Sequence, residues 1–143
     1  MTPRASTVEL MPAPQSAGLA RRFVHDQVRA WRVDTDEDDV ALMVSELVTN
    51  VSLHARTEAV VRVSLRDGCL RVEVTDRSAQ PIEVRAHALG AETGRGLRIV
   101  EALAADWGVQ TGPTGKTVWF EVPARSSTAP LGSGTPTEGA AGP

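Results

Sequence analysis

The chain has 143 residues, enough for one domain built on a single hydrophobic core. A formal net charge of −3 supports neither a nucleic-acid footprint nor a membrane-surface one. Cys69 is the only cysteine, which excludes an intramolecular disulfide and a cysteine-based zinc cluster. No signal peptide and no bilayer-spanning apolar run are read, so a cytoplasmic location is expected.

Residues 1–15 are rich in Pro, Ala and Ser, with an apolar piece at Val8–Met11 that suits an edge strand. From Ser16, a plausible cap, Leu19, Phe23, Val24, Val28 and Trp31 recur at helical spacing. A second helix is expected from Thr35–Asp36, where Asp36, Glu37, Asp38 and Asp39 meet the positive end of the helix dipole. Val40, Met43, Val44, Leu47, Val48 and Val51 then form a broad apolar stripe. Val61, Val63 and Leu65 alternate with polar neighbours, as do Leu70, Val72 and Val74 across a turn at Asp67-Gly68. This predicts a hairpin with one buried and one wet face.

Residues 77–93 lose periodicity and read as a long loop. A third helix is expected from about Gly96 to Ala105, and Val109 lies in a short strand. Gly112, Pro113 and Gly115 turn the chain into a last strand carrying Val118, Phe120 and Val122 on one side. From Ala124 the composition is Ser, Thr, Gly, Pro and Ala, and residues 124–143 read as a disordered tail. The expected domain, residues 16–123, is an α+β two-layer sandwich: three helices on one face of a mixed, largely antiparallel sheet.

Four polar groups carry candidate chemistry. Glu46 and Asn50 stand one helical turn apart, so they share a side at the margin of the apolar stripe. An amide oxygen suits Mg²⁺, and a carboxylate one turn away can accept a proton from a hydroxyl that attacks a phosphoryl group. The same spacing also fits a solvated pair at a helix boundary. Asp76 ends the apolar row 70, 72, 74, where a buried carboxylate demands a partner such as a purine amine. It equally suits a turn cap. Gly94-Arg95-Gly96 runs into a helix, where backbone N–H groups suit phosphate oxygens, though a plain helix start explains it as well. Gly115-Lys116-Thr117 enters the last strand; Thr117 could bond near a base, but its parity is opposite to that of Val118, Phe120 and Val122. His25, His54 and His87 have no metal-like spacing.

The order ELVTNVSLHA, VEVTDRS, ETGRGLRIV, GKTVWFEV resembles the GHKL superfamily of ATP-binding domains, and within it the small anti-sigma-factor serine/threonine kinases and their stand-alone actinomycete relatives. The resemblance spans roughly residues 16–123 and implies a Bergerat fold. It implies that Asn50 binds Mg²⁺, Glu46 acts as general base, and Asp76 recognises the adenine amine. It further implies that Gly94, Arg95, Gly96 and Leu97 meet the phosphates of ATP and that Thr117 lies near adenine. By the same resemblance the γ-phosphate goes to a Ser or Thr of an anti-anti-sigma partner of the STAS fold. An alternative sigma factor is sequestered, usually by a homodimer; neither a nucleic acid nor a membrane is an expected partner.

One departure stands out. The family pattern after the aspartate is Asp-x-Gly-x-Gly, whereas Asp76-Arg77-Ser78-Ala79-Gln80 has no glycine, which points to a tighter base pocket or weaker nucleotide affinity. The stretch before Gly94 is also short for enclosing a triphosphate. These departures motivate a second reading, a nucleotide-gated or nucleotide-free binding module that acts by docking alone. The extra domains of a ligase, topoisomerase or chaperone, and the helix pair of a histidine kinase, are not read in this sequence.

Overall fold

Period-two and period-3.6 apolar patterns sort the chain into a sheet and a helical layer. The computed structural model of the chain describes residues 4–78 and 94–126. The strands are β1 (Arg4–Leu10), β2 (Val33–Asp34), β3 (Ala59–Arg66), β4 (Cys69–Asp76), β5 (Asp106–Gly112), β6 (Gly115–Pro123) and β7 (Arg125–Ser126). The helices are α1 (Ser16–Ala30), α2 (Glu37–Asn50) and α3 (Gly94–Leu103), with a π-helical turn at Val51–Ala55 directly after α2.

Five strands pair in the order β1-β3-β4-β6-β5, and every pairing is antiparallel. The parallel component expected of a mixed sheet is absent among the described residues. The expected three-helix layer on one face is present. Val61, Val63 and Leu65 of β3, Leu70, Val72 and Val74 of β4, and Val118, Phe120 and Val122 of β6 are buried on that face. Val24 and Val28 of α1, Val40, Met43, Val44 and Val48 of α2, and Val100 of α3 complete the core. Burial of each such side chain stabilises the fold by roughly 1.5–3 kcal/mol before entropy is counted.

Local chemistry explains the boundaries. Asp36 caps α2 by accepting the Asp39 N–H at 3.3 Å, and Glu37, Asp38 and Asp39 occupy the first turn. Ser16 does not cap α1: Gln15 takes that position, and the Ser16 hydroxyl donates to the Met11 carbonyl. The β3–β4 turn has Asp67 and Gly68 both at positive φ, 51° and 80°, the geometry that a tight hairpin with right-handed strand twist requires. α3 starts at Gly94 and ends at Leu103, two residues earlier at each end than the apolar spacing suggested.

The tail boundary also moves. Ala124 is buried and donates its N–H to the Gly68 carbonyl at 2.9 Å, and β7 pairs antiparallel with β2. Residues 124–126 are therefore part of the fold, because the short β2 offers them a ladder that composition does not reveal. Of the expected loop at 77–93 and tail at 124–143, residues 79–93 and 127–143 lie outside the described residues. No helix among the described residues is long and apolar enough to cross a membrane.

The other face of the sheet is polar. Arg71 lies 4.1 Å from the Trp119 ring centroid and binds Glu73 at 2.9 Å and Glu121 at 3.0 Å. Cys69 sits beside this cluster, where burial, and next the charge of Glu121, push its thiol up from 9.0 to about 11. At pH 8 the native chain should hold about a hundredfold less thiolate than the unfolded one. Alkylation by iodoacetamide should slow accordingly in native protein and recover in urea; equal rates would contradict this environment.

Candidate functional site

α2 ends on Asn50, and its stripe of Val40, Met43, Val44, Leu47 and Val48 anchors it against both β4 and α3. Glu46 and Asn50 are both half-buried, so neither is a freely solvated boundary residue. Among the described residues the Nδ2 of Asn50 is buried without a hydrogen-bond partner. An amide nitrogen withdrawn from water in this way costs about 1–3 kcal/mol unless something else satisfies it. That requirement fits a polar ligand at the end of α2.

The π-helical turn follows at once. Its closing bond runs from the Arg56 N–H to the Val51 carbonyl at 2.8 Å, and Arg56 takes the left-handed conformation at φ 57°. Such turns recur at functional sites because they redirect a helix end without unravelling it. Nothing in the local pattern marks this turn, since Val51 continues the apolar stripe of α2. Just beyond, the Thr57 hydroxyl accepts the Arg77 N–H at 3.0 Å. The Arg77 guanidinium reaches Glu58 at 3.2 Å and Glu9 at 3.3 Å. The chain leaving α2 is thereby tied to the chain leaving β4.

Asp76 closes the buried row of β4 and is only 2 % exposed. Its Oδ1 accepts the N–H of Ser78 at 3.1 Å and the N–H of Lys116 at 3.2 Å. The turn-cap reading of Asp76 therefore holds, and its side chain stands on the helix-covered face. Ser78, at a position where the family pattern carries glycine, is buried in that turn.

β6 comes very close to this point. A Cβ on Gly115 would collide with the Asp76 carbonyl oxygen and stand 3.1 Å from its carbon and 3.3 Å from the Arg77 Cα. Only glycine permits this approach. Gly94 and Gly96 form the first turn of α3 rather than a loop ahead of it, with Leu97 half-buried against the core. The side chain of Arg95 lies outside the described residues.

Thr117 is not on the face of Asp76. It pairs across the strands with Thr75, and the two hydroxyls are 2.7 Å apart on the open side of the sheet. There, with Val60, Gln110 and Thr114, they line a cavity of about 660 Å³. The residue opposite Asp76 on its own face is Lys116. Strand parity held this information; register, which parity alone cannot give, supplied the partner. α2 thus packs against both β4 and α3, β6 pairs with β4 at Asp76, and Thr117 points its hydroxyl to the open side of the sheet, although Asp76 and Gly115 also line the cavity there.

Among the described residues no three His, Cys, Asp or Glu side chains gather into a metal cluster. A divalent ion here would rely on Asn50 and on phosphate oxygens of a bound nucleotide, a mode that suits Mg²⁺. The Asn50 Nδ2, a donor, suits a phosphate oxygen and leaves Oδ1 for the ion, while the first turn of α3 at Gly94 carries no acidic residue to repel phosphates.

A family model described as a histidine kinase-like ATPase domain matches residues 10–122. Among solved structures, the RsbU and RsbW domains of Rv1364c from Mycobacterium tuberculosis match with a TM-score of 0.65 and 23 % identity over 85 % of this chain. The chain spans 33 % of that structure's length, and the likeness is one of fold. Two structures of a blue-light activated histidine kinase from Erythrobacter litoralis EL346 align at 33 % identity over 61 % of this chain. Their TM-scores are 0.48 and 0.49, and they cover 44 % and 30 % of the matched chains. No curated protein matches the chain at a significant level.

Proposed function

The chain belongs to the histidine kinase-like ATPase family, and from that premise we propose that it binds Mg²⁺–ATP where α2, β4 and α3 meet and passes the γ-phosphate to a Ser or Thr of a small partner protein. The observation that carries this reading is the buried amide nitrogen of Asn50, without a partner among the described residues, one turn after the half-buried Glu46. Asn50 holds the ion through Oδ1 and donates its Nδ2 to a phosphate oxygen, Asp76 takes the adenine amine, and the first-turn N–H groups of α3 at Gly94-Arg95-Gly96 receive the phosphates. Bound Mg²⁺ supplies charge neutralisation at the phosphoryl oxygens. The resemblance to anti-sigma-factor kinases supports an anti-anti-sigma protein of the STAS type as acceptor and a sigma factor as a second partner.

Calorimetric titration with ATP, with and without Mg²⁺, tests the site. Saturable binding that requires Mg²⁺ is expected for the wild-type chain, and Asn50→Ala should remove the Mg²⁺-dependent part. Hydrogen bonds to charged groups are worth about 1.5–3 kcal/mol, so the loss should be tenfold or more. Unchanged binding by the variant would sink the assignment.

A second reading has its own observation. The glycine-free turn at Arg77-Ser78 is pinned by the Ser78 N–H on Asp76 and by Thr57 on Arg77, leaving it little freedom to admit a base. A module that captures its partner stoichiometrically, with no phosphoserine formed, would suit that rigidity. Turnover of ATP into phosphoserine would exclude it.

A further inference from the structure

The residue facing Asp76 across the β4–β6 ladder is Lys116, the chain's only lysine. Directly opposite residues of an antiparallel pair share a face, with Cβ atoms about 4.5–5.5 Å apart. The alternation of β6 fixes which face: Val118, Phe120 and Val122 are buried against the helices, and Lys116 stands two residues before Val118 in the same row. Lys116 is half-buried, and its own N–H already bonds the Asp76 carboxylate. Thr117, by contrast, spends its hydroxyl on Thr75 across the sheet's open side.

We propose that Lys116 reads the purine together with Asp76, as a specificity-determining residue that donates to the ring nitrogen N1. The inference rests on the ATP-binding reading and adds the second recognition contact to it. Ionised Asp76 is acceptor-only, and the lysine ammonium is donor-only. The Watson–Crick edge of adenine presents an amine donor and, beside it, the N1 acceptor. A carboxylate and an ammonium side by side on one face therefore complement that edge in full. The close approach of β6 at Gly115 sets the spacing, because it brings the Lys116 backbone within bonding distance of Asp76. A four-carbon stem is long enough to carry a charged head from that row to the edge of a base.

The test compares ATP with 1-deaza-ATP, which replaces N1 by a C–H group, on the full chain with Mg²⁺. Wild type should lose about tenfold or more in affinity on that exchange, the worth of a charge-assisted hydrogen bond. Lys116→Met should bind the two nucleotides alike, and Lys116→Arg, which keeps a donor, should recover part of the discrimination. This cycle separates base reading from any general effect on the fold. If Lys116→Met discriminates as well as wild type, the proposal is overturned. If wild type itself does not discriminate, or the Met variant weakens both nucleotides while keeping their ratio, Lys116 does not read N1 and the proposal also falls. Those outcomes leave ATP binding intact, whereas absence of any ATP binding by wild type would overturn this inference and the function it rests on.

Discussion

Glu46→Gln should leave ATP affinity close to that of wild type while slowing phosphorylation of a partner serine by about a hundredfold or more. The amide has the shape of the carboxylate and keeps its packing in the half-buried position on α2. What it loses is the ability to take a proton. In the proposed step the acceptor's Oγ–phosphorus bond forms as the bond from the γ-phosphorus to the bridging oxygen breaks. ADP leaves, and the hydroxyl proton passes to the Glu46 carboxylate. A positioned base typically accounts for 10²–10⁴ in rate, about 3–5 kcal/mol of barrier. Radiolabel transfer to a cognate partner, measured at saturating ATP, is the readout. A variant as fast as wild type would remove Glu46 from the chemistry. A variant that no longer binds ATP would instead assign Glu46 to holding the nucleotide.

That prediction was readable from sequence because it needs only helical arithmetic. The apolar stripe from Val40 to Val51 fixes which side of α2 is buried, and Glu46 and Asn50 fall together at its margin. The β3–β4 hairpin was equally plain, since two alternating runs flank an Asp-Gly turn. Asp76 could be placed on the core face by parity alone. Three features were not legible, each for a physical reason. The π-helical turn after Asn50 inserts its extra residue without changing the local apolar pattern, so nothing in the sequence marks it. The pairing of β7 with β2 depends on two residues at each site, too few to carry a periodic signal. The facing of Asp76 and Lys116 is a matter of register between strands about forty residues apart, set by the tight approach at Gly115 and not by local propensity.

That approach yields the other large expected effect. Gly115→Ala should destabilise the fold by about 1–3 kcal/mol and weaken ATP binding as well. The added methyl would run into backbone, namely the Asp76 carbonyl and the Arg77 Cα, and backbone in a paired strand cannot swing aside. Relief requires β4 and β6 to separate where Asp76 receives the Lys116 N–H, so the Asp76 carboxylate moves with the strain. Two other glycines of the same hairpin calibrate the effect. At Gly108 a methyl would meet the Trp119 ring at 2.8 Å, but that ring is a half-exposed side chain on the open face and can shift. At Gly112 the nearest atom is the Gly115 carbonyl oxygen at 3.9 Å, an ordinary contact. Thermal unfolding should therefore rank the variants with Gly112→Ala nearest wild type, Gly108→Ala intermediate and Gly115→Ala lowest. At about 4–8 °C per kcal/mol for a domain of about 100 residues, the last should fall by several degrees or more. ATP titration well below the midpoint then isolates the site, since Gly108→Ala strains the sheet without touching Asp76. Loss of affinity confined to Gly115→Ala would mean that Asp76 contacts the nucleotide and that β6 positions it. Equal affinity in all three would mean that Asp76 keeps its place without the close approach.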